Sequence, residues 1–125
     1  YKPHLPAEFS SVAKPTGVTG VVVVEASDRL EDNRWVLDLV KDDPFYVALV
    51  GNIDPYREDF AKQLRRLKKD RRFVGIRARN SDPIDYKDPQ VLKNFRKLAK
   101  AGLSLDILAN GKVVQGVREG ISWRV

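Results

Sequence analysis

The stretch Val18-Thr-Gly-Val-Val-Val-Val-Glu25 decides the fold of this chain. It is a nearly continuous β-branched run, which is typical of a strand covered on both faces. Comparable apolar runs follow at Phe45–Ile53, Phe73–Arg79 and Leu103–Leu108, at intervals of roughly 25–30 residues, the length of one strand–helix unit. Charged segments with helical periodicity separate these runs. The pattern therefore predicts an α/β fold in which four βα units form one parallel sheet.

Four such units are half of a (β/α)₈ TIM barrel. We therefore expect all 125 residues to form a single partial-barrel domain. Residues 1–16 are predicted to be an N-terminal extension with a short helix over Glu8–Lys14, and residues 17–110 to hold the four repeats. Residues 111–125 show neither a clear amphipathic helix nor a fifth strand, so this tail is left unplaced.

The intervening segments predict amphipathic helices with recognisable ends. Asp28, with Glu31 three residues later, has the pattern of an N-cap, and Trp35 is expected on the buried stripe of the helix that follows. Asp88-Pro89 predicts another helix start, a cap followed by proline at the first helical position. The helix expected over Glu58–Asp70 carries an apolar stripe of Phe60, Leu64 and Leu67.

Composition narrows the functional classes. The net charge is +6, and much of the excess lies in Arg65-Arg-Leu-Lys-Lys-Asp-Arg-Arg72. We interpret these cations as the solvated face of a helix, since no aromatic residue is interleaved for base stacking; a nucleic-acid partner is therefore not expected.

No apolar run is long enough for a membrane span, and no secretory signal is visible. The absence of cysteine excludes disulfides and thiolate zinc sites and fits a cytoplasmic setting.

Polar side chains within the third and fourth strands indicate a ligand site, because ligands bind at the carboxyl ends of parallel strands. A period of two places Phe73, Gly75, Arg77 and Arg79 on one face, and Val74, Ile76 and Ala78 on the face toward the helices. Asp106 is a carboxylate within an otherwise apolar strand, so it needs a partner, and Arg77 is the natural one. The two could form an interior ion pair, or the arginines could clamp an anion or carbonyl oxygen.

Two further positions are candidates for ligand contact. Glu25 ends the first strand and Asn52 ends the second, although turn formation and capping explain such residues equally well. His4, the sole histidine, lies between prolines and is interpreted as a loop residue. It has no second histidine or cysteine for a metal site of recognisable spacing, so no metal ligands are expected in this chain.

Four segments in order resemble the amidohydrolase-related metal-dependent hydrolases, in particular the sugar-lactone and pyrone-dicarboxylate lactonase branch. They are Gly17-Val-Thr-Gly-Val-Val-Val-Val-Glu-Ala26, Glu31-Asp-Asn-Arg-Trp35, Val50-Gly-Asn-Ile-Asp54 and Phe73-Val-Gly-Ile-Arg77. The resemblance covers residues 5–110 and implies a TIM-barrel hydrolase of lactones or related carboxylate-bearing substrates. It implies that Arg77 and Asp106 line the site. It also implies a divalent metal such as zinc in the full-length family, on histidines that would precede Tyr1 and follow Val125.

The leading hypothesis is therefore a truncated hydrolase fragment that keeps part of the substrate-binding wall and is inactive alone. In it Asp106 is the candidate catalytic residue, and Arg77, Arg79, Glu25 and Asn52 are the candidate substrate-binding residues. Unpaired strand edges favour a homo-oligomer or a complementary half-barrel as partner. Two alternatives stay open: a small metal-free lactonase, with Asp106 as base, and a basic module that binds nucleic acid or an acidic partner.

Overall fold

The computed structural model describes residues 4–78, 84–108 and 111–120. Within them four parallel strands form one sheet in the order β1-β2-β3-β4, which confirms the predicted α/β fold. The elements, in chain order, are α1 (Pro6–Ala13), a 3₁₀ turn (Lys14–Thr16), β1 (Val21–Val24), α2 (Leu30–Leu39), β2 (Tyr46–Gly51), α3 (Phe60–Leu67), β3 (Phe73–Ala78), α4 (Pro89–Lys100), β4 (Ser104–Ile107) and α5 (Gly111–Gly120).

The main core lies between the helices and one face of the sheet. The predicted α3 stripe is confirmed, since Phe60, Leu64 and Leu67 are all buried there, together with Ile76 of β3 and Leu98 of α4. A smaller cluster, formed by Ala13, Val40, Phe45 and Tyr46, attaches α1 to the start of β2. No helix in the described part of the chain is long and apolar enough to cross a membrane.

Helix α4 begins as predicted. The Asp88 carboxylate accepts from the backbone N–H groups of Gln90 and Val91, and Pro89 occupies the first turn. Helix α2 does not: its N-cap is Arg29, and Asp28 makes no capping bond. The predicted burial of Trp35 is also wrong, because that side chain is 60% exposed. The side of α2 that faces the core instead includes Asn33 and Leu37. A polar residue is therefore buried where the hydrophobic pattern predicted an apolar one.

The strict alternation predicted for β3 is broken near its start. The register with β2 shifts, so that Leu49 pairs with Phe73 but Val50 pairs with Gly75. Phe73 therefore joins Ile76 in the helix-side core, while Val74 is 36% exposed. The extra residue restores the alternation from Ile76 onward.

The tail prediction needs correction. Residues 111–120 form helix α5, on which Val113 and Val117 pack against the main core one helical turn apart. The sequence signal is weak because the stripe is only two residues long and glycines interrupt it, and glycine costs about 1 kcal/mol relative to alanine within a helix. Residues 121–125 lie outside the described part of the chain.

Candidate functional site

Arg77 and Asp106 lie opposite each other in the sheet. They are Cα partners in the parallel pairing of β3 with β4, and the register pairs the next residues, Ala78 and Ile107, as well. Ala78 and Ile107 pack into the helix-side core, so Arg77 and Asp106 belong to the opposite face. Neighbouring strands are about 4.8 Å apart, which places the two side chains side by side near the carboxyl ends of their strands.

Neither side chain has a hydrogen bond or an ion pair with any described residue. Both are half-buried. The interior ion pair that the sequence left open is therefore not formed within the described residues, although the two positions are adjacent. A guanidinium and a carboxylate that stand together on an uncovered face can each engage a ligand: the arginine offers a planar fork of donors, and the aspartate an acceptor or proton-accepting oxygen.

Asn52 directly follows β2 and is 2% exposed. Its backbone N–H donates to Asn33 Oδ1 (2.8 Å), and Asn33 Nδ2 donates back to the Asn52 carbonyl (2.6 Å). The Asn52 amide also donates to the Ser27 carbonyl (3.2 Å), while its Oδ1 is buried and has no hydrogen-bond partner. The end of β2 is thus held from α2, and one acceptor there is unsatisfied.

Asn33 is the residue of this region that sequence reasoning missed. It lies on α2, and its amide group also donates to the Leu30 carbonyl at 2.9 Å. A signal was present: Leu30, Asn33, Leu37 and Val40 follow a helical spacing, so Asn33 occupies a core-facing position. A buried asparagine in such a stripe must be hydrogen-bonded, and here its partner is the strand end.

The loop that follows β2 is fixed by side-chain hydrogen bonds. Asp54 Oδ1 accepts from the Tyr56 backbone N–H (2.9 Å), and buried Asn94 of α4 donates to the Pro55 carbonyl (2.8 Å). Farther along, the Arg57 guanidinium donates to Asp59 at 2.7 Å. This hydrogen bond, with a second from Gln63, lowers the pKa of the Asp59 carboxyl to about 2.

Glu25 lies at the end of β1, two strands away from Arg77 in the sheet order. Glu25 lines a pocket between β1 and α2, together with the helix-side residues Val23, Val36 and Leu49, but both of its carboxylate oxygens are buried and have no hydrogen-bond partner among the described residues. The structure therefore brings Arg77 together with Asp106, and Asn52 close to the loop that follows Glu25, but it does not bring Glu25 to the Arg77–Asp106 pair. Arg79 lies outside the described residues.

The remaining polar candidates lie away from the strand ends. His4 is exposed, and its Nδ1 is 3.1 Å from the Glu8 carboxylate. The basic side chains of the 65–72 segment are exposed as predicted, except that Arg72 is half-buried. It pairs with Asp70 at 2.8 Å and donates to the Leu37 carbonyl, which makes it a structural link between α2 and the turn before β3.

The described residues do not form a metal site. No group of three or more histidine, cysteine, aspartate or glutamate side chains in ranges 4–78, 84–108 and 111–120 could hold an ion. His4, the only histidine in the sequence, is engaged at the surface by Glu8. The residues in the described part of the chain therefore do not fit a zinc centre.

The family follows from a sequence-profile match. The profile of the amidohydrolase family matches residues 1–118. The chain belongs to the amidohydrolase family. This agrees with the resemblance seen in the four sequence segments.

Individual relatives agree with this family assignment, one in sequence and two solved structures in fold. L-fucono-1,5-lactonase from Burkholderia ambifaria is 31% identical over 85 residues, which are 68% of this chain and 29% of that enzyme. A Burkholderia multivorans amidohydrolase crystallised with bound zinc is 18% identical, with a TM-score of 0.80 over 94% of this chain and 43% of its own. A second crystal form, with bound HEPES, gives 17% identity, a TM-score of 0.83 and coverage of 94% and 42%. The chain thus has the fold of a partial barrel, and it spans less than half the length of the relatives it matches.

Proposed function

We propose that this amidohydrolase chain supplies part of the substrate-binding wall of a hydrolase that acts on lactones or related carboxylate-bearing substrates, and that it is inactive alone. The observation that carries the proposal is that Arg77 and Asp106 stand side by side on the uncovered sheet face, as Cα partners in neighbouring strands. The likeness to a lactonase supports the substrate class. Within this proposal Arg77 and Arg79 bind a carboxylate or lactone oxygen, and Asp106 acts as the proton-accepting group.

The chemistry of the pair suits such a substrate. A guanidinium binds a carboxylate through two parallel N–H···O bonds, and such charge-assisted bonds are about twice as strong as neutral ones. Asp106 beside it would repel a second carboxylate, so the ligand group facing Asp106 must be a hydroxyl or a water molecule. Asn52, at the neighbouring strand end, also has an unsatisfied acceptor, but that oxygen is buried. An aldonate carries a carboxylate and hydroxyl groups, and its lactone carries a ring carbonyl oxygen and hydroxyl groups.

The proposed inactivity of the isolated chain rests on the residues that its described part provides. Hydrolysis needs a group that activates water and a group that takes up the proton. Asp106 can take the proton, but the described residues provide no metal site to activate water. We therefore expect binding without turnover. Turnover of a sugar lactone that disappears in Asp106→Asn would instead establish the metal-free lactonase, and this proposal would be wrong.

The binding test compares two arginines of equal charge on different surfaces. The ligand is L-fuconate, the aldonate formed when L-fucono-1,5-lactone opens, titrated into the ¹⁵N-labelled chain. Arg77→Gln should weaken the affinity about tenfold, the equivalent of 1.4 kcal/mol. Arg77→Lys should recover only part of the loss, because lysine lacks the planar fork. Arg71→Gln, on the exposed turn before β3, is the matched control and should leave the affinity unchanged. Equal losses in Arg71→Gln and Arg77→Gln would refute the site.

A second candidate function rests on the exposed cations after α3. Lys41, Lys69 and Arg71 line an open groove of about 640 Å³ at the amino-terminal side of the sheet, opposite the strand ends. Such a groove suits an acidic partner or nucleic acid. Binding there would weaken steeply as salt rises, because phosphate contacts release counterions. It would also be lost in Arg71→Gln and retained in Arg77→Gln, the reverse of the result expected for the substrate wall.

The partners of the chain follow from its open edges. Within the described residues β1 and β4 each have one unpaired edge, and the uncovered face exposes Val22 and Val24. Unpaired edges and apolar faces favour association. We propose that the chain pairs with a second copy or with a complementary half-barrel.

A further inference from the structure

A mostly apolar pocket lies beside the open edge of the sheet, between β1 and α2. Its volume is about 230 Å³, which is room for an aliphatic side chain. Val23 and Val36 form apolar walls, Trp35 stands at the exposed border, and Asp32, whose side chain is 36% exposed, lies at the rim. A separate groove, which Arg34 lines, occupies the other side of α2, toward α3. The pocket therefore faces away from α3, over the outermost strand of the sheet.

The backbone of β1 is unpaired along this edge. The N–H groups of Val21 and Glu25 donate to carbonyls on the β2 side, each at 2.8 Å. Since successive residues of a strand direct their peptide groups to opposite sides, Val22 and Val24 direct theirs to the open edge. The edge thus offers donors and acceptors for one more parallel strand.

The opposite edge of the sheet has a matching surface. Leu105 and Ile107 of β4 pack toward the helices, as alternate residues of β1 do, so the two edges have their apolar residues on the same side. Helix α5 turns its two core-facing valines inward, which leaves Val114 and Arg118 exposed one helical turn apart. Val114 is 49% exposed, and Arg118 forms no ion pair with a residue of the described ranges.

We propose that these two edges pair between copies of this chain, with α5 of one copy packed against α2 and β1 of the other. Two copies of the four-stranded sheet give eight parallel strands, the number that closes a TIM barrel. A two-fold axis along that barrel makes its two seams identical. The inference rests on the proposed pairing with a second copy, and it names the surfaces that form the pair.

The apolar part of each seam is the contact of Val114 with the pocket. In a barrel the helices of neighbouring βα units lie side by side, so α5 of one copy becomes the neighbour of α2 of the other. Val114 then enters the pocket beside Trp35 and Val36. This contact covers aliphatic surface on both copies, which is the main favourable contribution to association.

The charges at the seam are complementary. Asp32 lies 3.9 Å from Arg29 Nε, too far for a hydrogen bond, so its carboxylate can accept from a second arginine. Arg118 is the eighth residue of α5 and Asp32 the third of α2, an offset of five residues or about 7.5 Å along parallel helices that begin at one level. Long side chains on a helix lean toward its N-terminal end, so Arg118 bridges most of this distance.

The first test measures the dimer dissociation constant by sedimentation equilibrium. Val114→Asp should raise it at least about tenfold, because a carboxylate would enter an apolar pocket next to Asp32. Arg118→Glu should raise it about threefold, as expected for an exposed ion pair, and Asp32→Arg in the same chain should reverse that loss. Arg65→Glu, on the exposed face of α3, is the matched control for charge and should stay within about twofold of the wild type.

The second test locates the seam by cross-linking. The chain has no cysteine, so a single introduced cysteine reports one contact. Trp35→Cys and Val114→Cys are treated with a short bismaleimide, each alone and as an equimolar mixture. The seam predicts a cross-linked dimer in the mixture and in neither variant alone, because α2 meets α5 and does not meet a second α2. This test stays decisive even if Val114→Asp does not fold.

Three results would overturn the inference: a wild-type chain that is monomeric at tens of micromolar, a dimer that cross-links through Trp35→Cys alone, or a dimer that the mixture does not cross-link. The last two would leave the proposed self-pairing standing and refute only these surfaces. The aldonate titration is independent of all three, since Arg77 and Asp106 lie on the uncovered sheet face and not at the helix-side seam.

Discussion

Replacing Asn33 by alanine should destabilise the chain far more than replacing an exposed neighbour on α2 by alanine. The change removes the donor to the Asn52 carbonyl, the donor to the Leu30 carbonyl and the acceptor of the Asn52 N–H. The Asn52 backbone groups are then left buried without partners, at about 1–3 kcal/mol for each unsatisfied group. With the small cavity that alanine leaves, we expect a loss of about 3 kcal/mol in the free energy of unfolding, or about 10 °C in Tm.

The assay is urea unfolding followed by circular dichroism at one fixed protein concentration, because self-association would otherwise shift the apparent stability. Arg34→Ala is the control, since Arg34 is the next residue of the helix, is exposed and pairs with Asp38 on the surface. Exposed pairs of this kind contribute little to stability, so the loss in Arg34→Ala should be small. Asn33→Asp separates packing from hydrogen bonding: it keeps the volume but presents an oxygen to two carbonyls, so it should be nearly as unstable as Asn33→Ala. If Asn33→Ala loses no more than Arg34→Ala, the reciprocal clamp is not a stabilising contact.

Three further outcomes are expected. Asp88→Ala should cost about 1 kcal/mol of unfolding free energy, because α4 loses its N-cap acceptor; Asp88→Asn, which retains an acceptor, should recover most of it. Gly75→Ala should also destabilise, because a Cβ there would meet Ser104, including its backbone oxygen at 2.6 Å; a variant with wild-type stability would contradict this close packing. The pKa of Asp59 is about 2 in the folded chain against 3.8 in the reference state, so its interaction with Arg57 is present above about pH 4 and is lost as the pH falls toward 2. Asp59→Asn should therefore flatten the acid limb of a stability–pH profile, and an unchanged limb would refute the assignment.

The fold was predictable because hydrophobic periodicity is strong where the sheet and helices pack. The strands, the α3 stripe and the Asp88 cap each follow from residues that contact the core or the backbone locally. Helix α2 was less predictable. Its largest apolar residue, Trp35, is exposed, whereas a polar residue, Asn33, is buried because its partner lies on a strand end 19 residues away. Hydrophobic periodicity cannot predict a buried polar residue whose burial depends on a hydrogen bond to a distant part of the chain.

In the candidate site, too, the sequence pattern predicted some features, while others depend on contacts between distant parts of the chain. Alternation along a strand placed Arg77 and Asp106 on one face, since a parallel register brings such positions side by side. Alternation could not predict whether the two side chains form an ion pair, because that depends on the rotamer of a long arginine; within the described residues they do not. The bulge near Val74 was also beyond the pattern, since register is set by both strands together. Glu25 looked like one more strand-end ligand, yet both of its carboxylate oxygens are buried, and β1 is two strands away from Arg77 in the sheet.

Self-association is a property of the chain as a whole. Light scattering coupled to size exclusion should give a dimer or larger species at tens of micromolar, because the sheet edges and the open face are unpaired. A monodisperse monomer would show that this chain covers its edges in another way.

The most direct test of the account is to map where L-fuconate binds on the wild-type chain by amide chemical-shift changes. Binding at the proposed wall predicts the largest changes in residues 75–78 and 104–107, at the paired ends of β3 and β4, with residues 65–72 unmoved. Changes centred on residues 65–72, with the strand ends unaffected, would show that the anion binds the basic surface and that the proposed substrate wall is wrong.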